Sequence, residues 1–272
     1  MRTYSLSYLT APSASALQSV AVAAAAGYDH VGLRLAASAI SGAGHDLVGN
    51  PAAVRETRAS LEDTGIQVLD VEVIWIGPDF DGRASLPMLE VAAALQARHV
   101  LVVGDDPQWP RLAQSFARLC ETVATFGLSV QLEFVPWTVV HDTASAVRLL
   151  DAAGWPANAG ILVDALHWAR SQGTVAAIAA LPRDCLHYAQ ICDGPGHGSF
   201  TRDEMVRIAI SGRALPGEGG IDLRGLFGAL PRELTISIEI PDPARLARHG
   251  AQEWARMALA ASKASLDGLD AH

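Results

Sequence analysis

The fold is decided by four apolar runs in the second half of the chain, which read VQLEFV (130–135), GILVD (160–164), HYAQICD (187–193) and LTISIE (234–239). Each run breaks, at or near its C-terminal end, on a residue with a side-chain oxygen: Glu133, Asp164, Gln190 and Glu239. A carboxylate inside a buried strand is costly unless a partner compensates its charge. Three carboxylates and an amide at the ends of successive strands therefore predict one cation site shared by four strands.

The rest of the chain repeats the same unit, an apolar run followed by an amphipathic stretch, at intervals of roughly 30 residues. Four earlier strands are predicted at 4–9, 30–35, 66–76 and 99–103. The long connection at 194–220 is expected to contain a helix at 202–210, and one helix is expected at 244–265. Eight strands alternating with eight helices predict an α/β fold, a (β/α)₈ TIM barrel forming a single domain over residues 1–272.

The alternative fold is an open, doubly wound sheet. That fold typically has a glycine-rich phosphate turn after its first strand, and the sequence Thr10-Ala-Pro-Ser13 has no such pattern. The barrel is therefore the preferred prediction.

The composition argues against several classes of protein. The net charge of −9 without a basic cluster argues against a nucleic-acid or anionic-membrane surface. Lys263 is the single lysine and is predicted to lie in the last helix, which disfavours a Schiff-base mechanism. The alanine-rich stretch at 20–27 is too short to cross a bilayer, so a cytoplasmic protein is expected. Three irregularly spaced cysteines do not form a disulfide framework.

The predicted cation site follows from the barrel. Strand C-termini converge on one face of a TIM barrel, so the residues that end strands five to eight become neighbours. Their oxygen ligands suit Mn²⁺ or Mg²⁺, with Co²⁺ or Zn²⁺ as alternatives, and leave coordination positions open for a substrate. For any one acid the alternative is an ion pair with a buried arginine, but four residues in register favour a shared cation.

Two further residues lie three positions after predicted ligands. His167 follows Asp164, and a turn at the strand end is expected to bring its imidazole over the pocket as a general base or a ligand of a substrate hydroxyl. Asp193 follows Gln190 and is expected to orient a ligand or an arginine rather than to bind the cation itself.

The remaining candidates are substrate-binding residues. Arg34 ends the second strand, where its guanidinium either faces an anion or pairs with Glu72 on the third strand, and these two interpretations stay open. Trp137 is a candidate apolar wall of the pocket. Arg213, in the long connection after the seventh strand, is a candidate clamp for a substrate carboxylate or phosphate, because loops of this length are usually functional.

These segments resemble the xylose-isomerase-like TIM-barrel superfamily, which includes sugar phosphate isomerases and epimerases. The resemblance covers essentially the whole chain and rests on Leu132-Glu133-Phe, Val163-Asp164-Ala-Leu-His167, Gln190-Ile-Cys-Asp193, Pro216-Gly-Glu-Gly-Gly-Ile-Asp222 and Ile238-Glu239. In those families the ligands are usually Glu, Asp, His and Glu. Here Gln190 stands where the histidine is usual, and an amide at this place is similar to the 3-dehydroshikimate dehydratase branch. The endonuclease-IV branch is not favoured, because its extra histidines and basic surface are missing.

The resemblance implies a divalent cation that binds the carbonyl and a neighbouring hydroxyl of a sugar-like or cyclic polyol or keto-acid substrate. The cation would stabilise an enediolate, and Glu133 and Glu239 would be both ligands and proton-transfer groups. Reprotonation would give an isomerase or epimerase, which is the first expectation. Loss of a β-hydroxyl with His167 as acid or base would give a dehydratase, a lyase, which is the alternative.

A third hypothesis is a non-catalytic barrel that binds a sugar-like ligand or uses the cation only for structure. The expected partner is in each case a small molecule, with no nucleic acid and no membrane. Apolar rim residues are compatible with a homodimer.

Overall fold

Eight parallel strands close into a barrel in the computed structural model, which describes residues 2–37, 42, 44–196 and 198–269. Each strand pairs with its neighbours in chain order, and the eighth pairs with the first, where Leu6 lies opposite Ile238. The strands are β1 (Tyr4–Leu6), β2 (His30–Arg34), β3 (Gln67–Ile76), β4 (His99–Gly104), β5 (Ser129–Glu133), β6 (Ala159–Asp164), β7 (Tyr188–Ile191) and β8 (Thr235–Ile238). The predicted (β/α)₈ barrel is confirmed.

Helices connect the strands on the outside of the barrel. They are α1 (Ala16–Ala26), α2 (Pro51–Thr64), α3 (Leu86–Ala94), α4 (Trp109–Ala124), α5 (Thr143–Ala152), α6 (Ala165–Arg170), α7 (Val175–Ala179), α8 (Arg202–Ser211), α9 (Leu223–Ala229), α10 (Pro243–His249) and α11 (Ala251–Leu266). The sequence sets their starts locally. In α8, for example, Thr201 and Glu204 form a capping box that satisfies backbone N–H groups at the helix start. Within the described residues, no helix is long and apolar enough to span a membrane.

The apolar core has two layers. The larger layer lies between the strands and the helices and contains alternate strand residues such as Val31, Val100 and Ile161. The smaller layer fills the inside of the barrel and contains Leu69, Val73, Leu101, Val103, Val135, Leu162 and Tyr188. Period-two alternation along each strand therefore places one set of side chains on the helices and the other inside the barrel.

Three predicted elements differ from the structure. The strand predicted at 4–9 ends at Leu6, and a 3-10 helix covers Tyr8–Thr10. A short helix, α6, begins directly after β6, where only a turn was expected. The prediction of one helix over 244–265 is wrong, because Gly250 separates α10 from α11. Gly250 has φ 76° and ψ 162°, a conformation that essentially only glycine adopts, and it breaks the helix there.

Candidate active site

A small cavity of about 70 Å³ lies at the carboxyl ends of the strands. Several predicted site residues line it, together with apolar side chains: Arg34, Glu72, Glu133, Trp137, His167, Arg213 and Glu239. Asp164 and Gln190 are fully buried and do not line the cavity. The structure therefore brings the predicted residues to one end of the barrel, although Asp164 and Gln190 do not face the cavity.

Strand register explains why these residues meet. Glu133 is the last residue of β5 and Asp164 is the last residue of β6, while Asp164 lies opposite Gln190 of β7. Gln190 in turn lies opposite Ser237 of β8, two residues before Glu239. The four oxygen-bearing side chains therefore approach the same end of the barrel from adjacent strands.

Arg213 lies between two of the four predicted ligands. Its Nη1 donates to Asp164 Oδ2 at 2.5 Å, and its Nη2 forms an ion pair with Glu239 Oε2 at 2.7 Å. Its Nε donates to the Ala209 carbonyl at 3.0 Å, and Nη1 also approaches Cys192 Sγ at 3.4 Å. The guanidinium is buried, so it is an internal counter-ion of the acids rather than a surface charge. The sequence predicted Arg213 as an anion clamp and did not predict these contacts.

Glu239 is further held by two neutral side chains. Its Oε1 accepts a hydrogen bond from Ser7 Oγ at 2.8 Å and one from Gln190 Nε2 at 3.2 Å. The other atom of that amide, Gln190 Oε1, is buried and has no hydrogen-bond partner among the described residues. Ser7 was not predicted as a site residue, although its position directly after β1 was a signal that could have identified it.

The structure shows Arg34 paired with Glu72, which is one of the two interpretations that the sequence left open. Arg34 Nη2 forms a buried ion pair with Glu72 Oε2, and the guanidinium also lies over the Tyr8 ring, 4.6 Å from its centroid. Because Arg34 and Glu72 both line the cavity, this ion pair forms part of the cavity wall.

His167 is positioned by the start of α6. Asp164 caps that helix, since its Oδ1 accepts a hydrogen bond from the His167 backbone N–H at 2.9 Å. The imidazole Nε2 lies 3.8 Å from Glu133 Oε1, and the ring packs edge-on against Trp137 with centroids 5.2 Å apart. Burial lowers the pKa of His167 to about 4 despite the nearby charge of Asp164. The imidazole is therefore neutral near pH 7 and able to accept a proton.

The acids differ in charge state because their partners differ. Burial and the charges of Asp164 and Glu239 raise the pKa of Glu133 well above its ordinary value. Burial raises the pKa of Glu239 to about 7, against the opposing effect of Arg213. Burial acts in the same direction on Asp164, but Arg213 and His167 outweigh it and the net pKa is lowered. One positive charge thus compensates only part of this carboxylate cluster.

Asp193 binds the backbone of the long loop and does not line the cavity. Its Oδ1 accepts hydrogen bonds from the backbone N–H groups of Gly194 at 2.8 Å and Ile221 at 3.1 Å, and its Oδ2 accepts from Gly217 at 3.0 Å. Its main chain forms two hydrogen bonds with Ala214, the residue after Arg213. The chain that carries Arg213 is thereby fixed to the end of β7.

A further acid lies deeper in the barrel and was not predicted. Asp70 of β3 is fully buried and accepts a hydrogen bond from Tyr188 OH at 3.1 Å. Burial and the charge of Glu72 raise its pKa well above the ordinary value. The alternation Asp70-Val-Glu72 within an otherwise apolar strand was a signal that could have identified it.

The predicted ligands suit a divalent cation by their chemistry. Three carboxylates and the unpartnered Gln190 Oε1 make an oxygen donor set that suits a hard cation. Among the described residues, however, no three His, Cys, Asp or Glu side chains are arranged to hold a metal ion. Arg213 lies between Asp164 and Glu239 in this structure. The donor set therefore fits a cation in its chemistry, and a guanidinium contacts two of the donors.

The chain matches the model of a known protein family. A family model described as xylose isomerase-like TIM barrel matches residues 20–258. The chain belongs to that family. The resemblance seen in the sequence is thereby confirmed.

One curated protein is similar to part of the chain. The 3-dehydroshikimate dehydratase of Pseudomonas aeruginosa PAO1 is 28% identical over 116 residues, which is 43% of this chain and 18% of that protein. The chain thus matches less than a fifth of the length of this relative.

Three solved structures superpose on 97–99% of this chain. IolI, solved with a bound zinc atom, has a TM-score of 0.78 at 15% identity and covers 99% of this chain and 100% of its own. The probable 3-dehydroshikimate dehydratase AsbF from Bacillus anthracis has a TM-score of 0.73 at 16% identity, with 98% of each chain covered. D-allulose 3-epimerase from Methylomonas sp., in complex with D-allulose, has a TM-score of 0.69 at 18% identity, with 97% of each chain covered. At these identities the likeness shows the fold.

Proposed function

We propose that this protein is a divalent-cation-dependent dehydratase that removes water from a cyclic β-hydroxy keto acid of the 3-dehydroshikimate type. The observation that carries the proposal is the pair of buried guanidinium groups, Arg34 and Arg213, beside a neutral imidazole in one cavity. Each guanidinium pairs with a carboxylate in this structure, and a substrate carboxylate would share these two cations, whereas a neutral sugar does not need them. Gln190 at the usual histidine position and the curated dehydratase relative support the same reaction.

The cation would be held by Glu133, Asp164, Gln190 and Glu239. Bound there, it would act as a Lewis acid that makes the carbon next to the substrate ketone more acidic. The buried cluster of like charges is the part of the chain that such an ion would neutralise.

His167 carries the proton transfer in this proposal. Its neutral imidazole removes the proton from the carbon next to the ketone, and the C–O bond of the neighbouring β-hydroxyl breaks as the new C=C bond forms. The imidazolium then gives the same proton to the departing hydroxyl, which leaves as water, so that atoms and charge balance. Trp137 packs against the ring and keeps it oriented. Arg34, in the cavity wall beside Glu72, would share its guanidinium between that acid and the substrate carboxylate.

An epimerase or isomerase is the second candidate. It is favoured by the position of Glu133 and Glu239, two carboxylates that line the same cavity and could exchange protons with a sugar carbon. The likeness of the fold to D-allulose 3-epimerase is compatible with it. The two candidates differ in whether water is lost.

The test is turnover of 3-dehydroshikimate with Mn²⁺ or Mg²⁺, followed by the ultraviolet absorbance of the aromatic product. We expect turnover that a chelator abolishes and that Glu239→Gln lowers at least about 100-fold, since removal of one such electrostatic group costs this much in other enzymes. The matched control is Glu218→Gln, because Glu218 pairs with Arg245 at 2.7 Å and does not line the cavity.

An absence of turnover with the cation demonstrably bound would contradict the dehydratase. Deuterium exchange from solvent into a panel of ketoses and inososes would then identify the epimerase. A protein that binds such ligands without any exchange would be the non-catalytic barrel.

A further inference from the structure

The position of Arg213 bears on how a cation reaches this site. We propose that the Arg213 guanidinium and a divalent cation compete for Asp164 and Glu239, so that the cation enters only when the arginine leaves. The inference rests on the proposed function in one respect, since it takes the same four residues as the cation ligands. Its subject is the chain's own arginine, which occupies two of them.

The contacts make joint occupancy unfavourable. Arg213 uses a different nitrogen for each acid, at 2.5 Å from Asp164 Oδ2 and 2.7 Å from Glu239 Oε2. Each of these charge-assisted contacts places a guanidinium nitrogen against a carboxylate oxygen that a cation would also bind. A doubly charged ion next to a buried guanidinium would also experience strong repulsion, because neither charge is screened by water. The guanidinium and a cation would therefore compete for the same two carboxylate oxygens.

Arg213 would leave the acids by a movement of its side chain alone. The Asp193–Ala214 hydrogen bonds fix the adjacent main chain, so the movement is a rotation of the side chain. Arg213 itself lines the cavity, next to Ala209 and Ile210 at the end of α8. Release from the acids would turn the guanidinium into that cavity, where it would face the substrate.

The competing explanation is that Arg213 is a permanent structural counter-ion. In that case it would hold the acids in place, and its removal would weaken or abolish any cation site. The two explanations predict opposite effects of the same substitution on cation affinity.

The experiment is a calorimetric titration of Mn²⁺ into chelator-treated wild type, Arg213→Gln, Arg213→Lys and Arg34→Gln. Under competition, the apparent affinity of the wild type is the intrinsic affinity multiplied by the fraction of molecules in which the arginine has left the acids. We therefore expect Arg213→Gln to bind Mn²⁺ at least about tenfold tighter, and Arg213→Lys to show a smaller gain. Arg34→Gln removes a buried positive charge from the same cavity without touching the four ligands, so competition predicts a clearly smaller gain for it than for Arg213→Gln.

Several outcomes would overturn the inference. Equal or weaker binding by Arg213→Gln would do so, and an equal gain in Arg34→Gln would assign the effect to general electrostatics. Circular dichroism and thermal melting check that each variant is folded, and Arg213→Lys carries the test if the glutamine variant is not. A crystal structure with Mn²⁺ gives an independent readout, since a bound ion with Arg213 still bridging both acids would also contradict competition.

The result is separable from the proposed function. Tighter binding by Arg213→Gln without dehydratase turnover in the wild type would support competition and count against the dehydratase. Dehydratase turnover in the wild type, with unchanged Mn²⁺ affinity in Arg213→Gln, would support the dehydratase and count against competition.

Discussion

His167 shows how one residue acquires its chemical character from its neighbours. Its backbone N–H is bound by Asp164, so the acid that caps α6 also fixes where the imidazole projects. Burial keeps the ring neutral, and the ring Nδ1 has no hydrogen-bond partner among the described residues. The side chain is therefore a base held in place by its backbone and by packing.

Replacement of His167 should affect the rate more than binding. We expect His167→Gln to lower kcat by about 10²–10⁴-fold while Mn²⁺ affinity stays within about threefold, because the residue moves a proton and is not a cation ligand. Steady-state kinetics and Mn²⁺ titration measure the two effects. His141→Gln is the control, since His141 is exposed. An unchanged kcat would remove His167 from the proton transfer.

At this scale the sequence allowed prediction of residues that follow the strand period. Glu133, Asp164, Gln190 and Glu239 were identifiable because each interrupts an apolar run at the same relative place. The partner of Asp164 was not, because Arg213 lies 49 residues further along the chain, within a long connection. No periodic pattern relates a loop side chain to a strand end, so that contact required the structure.

Among the elements, the loop after β7 determines where Arg213 lies. Asp193 accepts three backbone hydrogen bonds from it, and those donors are spread over residues 194 to 221. The Asp193 carboxylate thus joins the beginning and the end of this connection through hydrogen bonds. The prediction of a helix within this segment is confirmed, with α8 at Arg202–Ser211.

Loss of the Asp193 carboxylate should loosen the loop while the barrel stays folded. We expect Asp193→Ala to cost about 1–3 kcal/mol of unfolding free energy, because three backbone N–H groups lose their acceptor. Hydrogen exchange should accelerate at Gly194, Gly217 and Ile221. Asp203→Ala, an exposed change on the same loop, is the control. Unchanged protection at these three amides would show that Asp193 does not hold the loop.

Packing around β6 requires a glycine at position 160. A Cβ atom at Gly160 would lie 2.6 Å from His187 Nδ1 and 2.7 Å from both Cys185 O and Gln131 Oε1. We expect Gly160→Ala to lower the free energy of unfolding by about 1–3 kcal/mol through overpacking. Urea denaturation measures it. Gly77→Ala is the matched control, because no heavy atom lies within 4 Å of a Cβ built there. Equal stability of the two variants would contradict this account.

Across the whole molecule, stability should depend on His99, a partly buried histidine that does not line the cavity. His99, at the start of β4, hydrogen-bonds Ser129 Oγ at 2.6 Å and stacks on His187 and Tyr188. Burial, with the nearby charges of His187, Arg98 and His30, lowers the pKa of His99 to about 3. The unfolded chain therefore binds a proton at His99 that the folded protein does not accept.

This difference destabilises the fold as the pH falls. Between the ordinary histidine pKa and a folded pKa of about 3, the unfolded state binds more protons, so stability rises with pH and is lost on acidification. The expected loss from His99 between pH 7 and pH 5 is about 2 kcal/mol. Urea denaturation at both pH values should show a smaller loss for His99→Gln, whereas His141→Gln should match the wild type. Equal losses in all three proteins would count against His99.

The global fold was predictable because every unit repeats the same pattern, and eight short repeats leave few topologies. The polar interior was less so. Ser5, Asp70, Gln131 and Ser237 are buried inside strands whose apolar neighbours dominate the pattern. Alternation assigns such residues to the barrel interior or to the surface with equal ease, and closure of the barrel decides between them.

The closure of the long loop by Asp193 also has an evolutionary consequence. Both ends of the loop are bound to one carboxylate, so a change in the length of its exposed apex near Gly198 and Ser199 leaves the place of Arg213 unaltered. Such a loop can acquire new sequence for a new substrate while the acids below keep their counter-ion. The exposed part of the loop can therefore change in sequence, while the part that carries Arg213 keeps its ion pairs with Asp164 and Glu239.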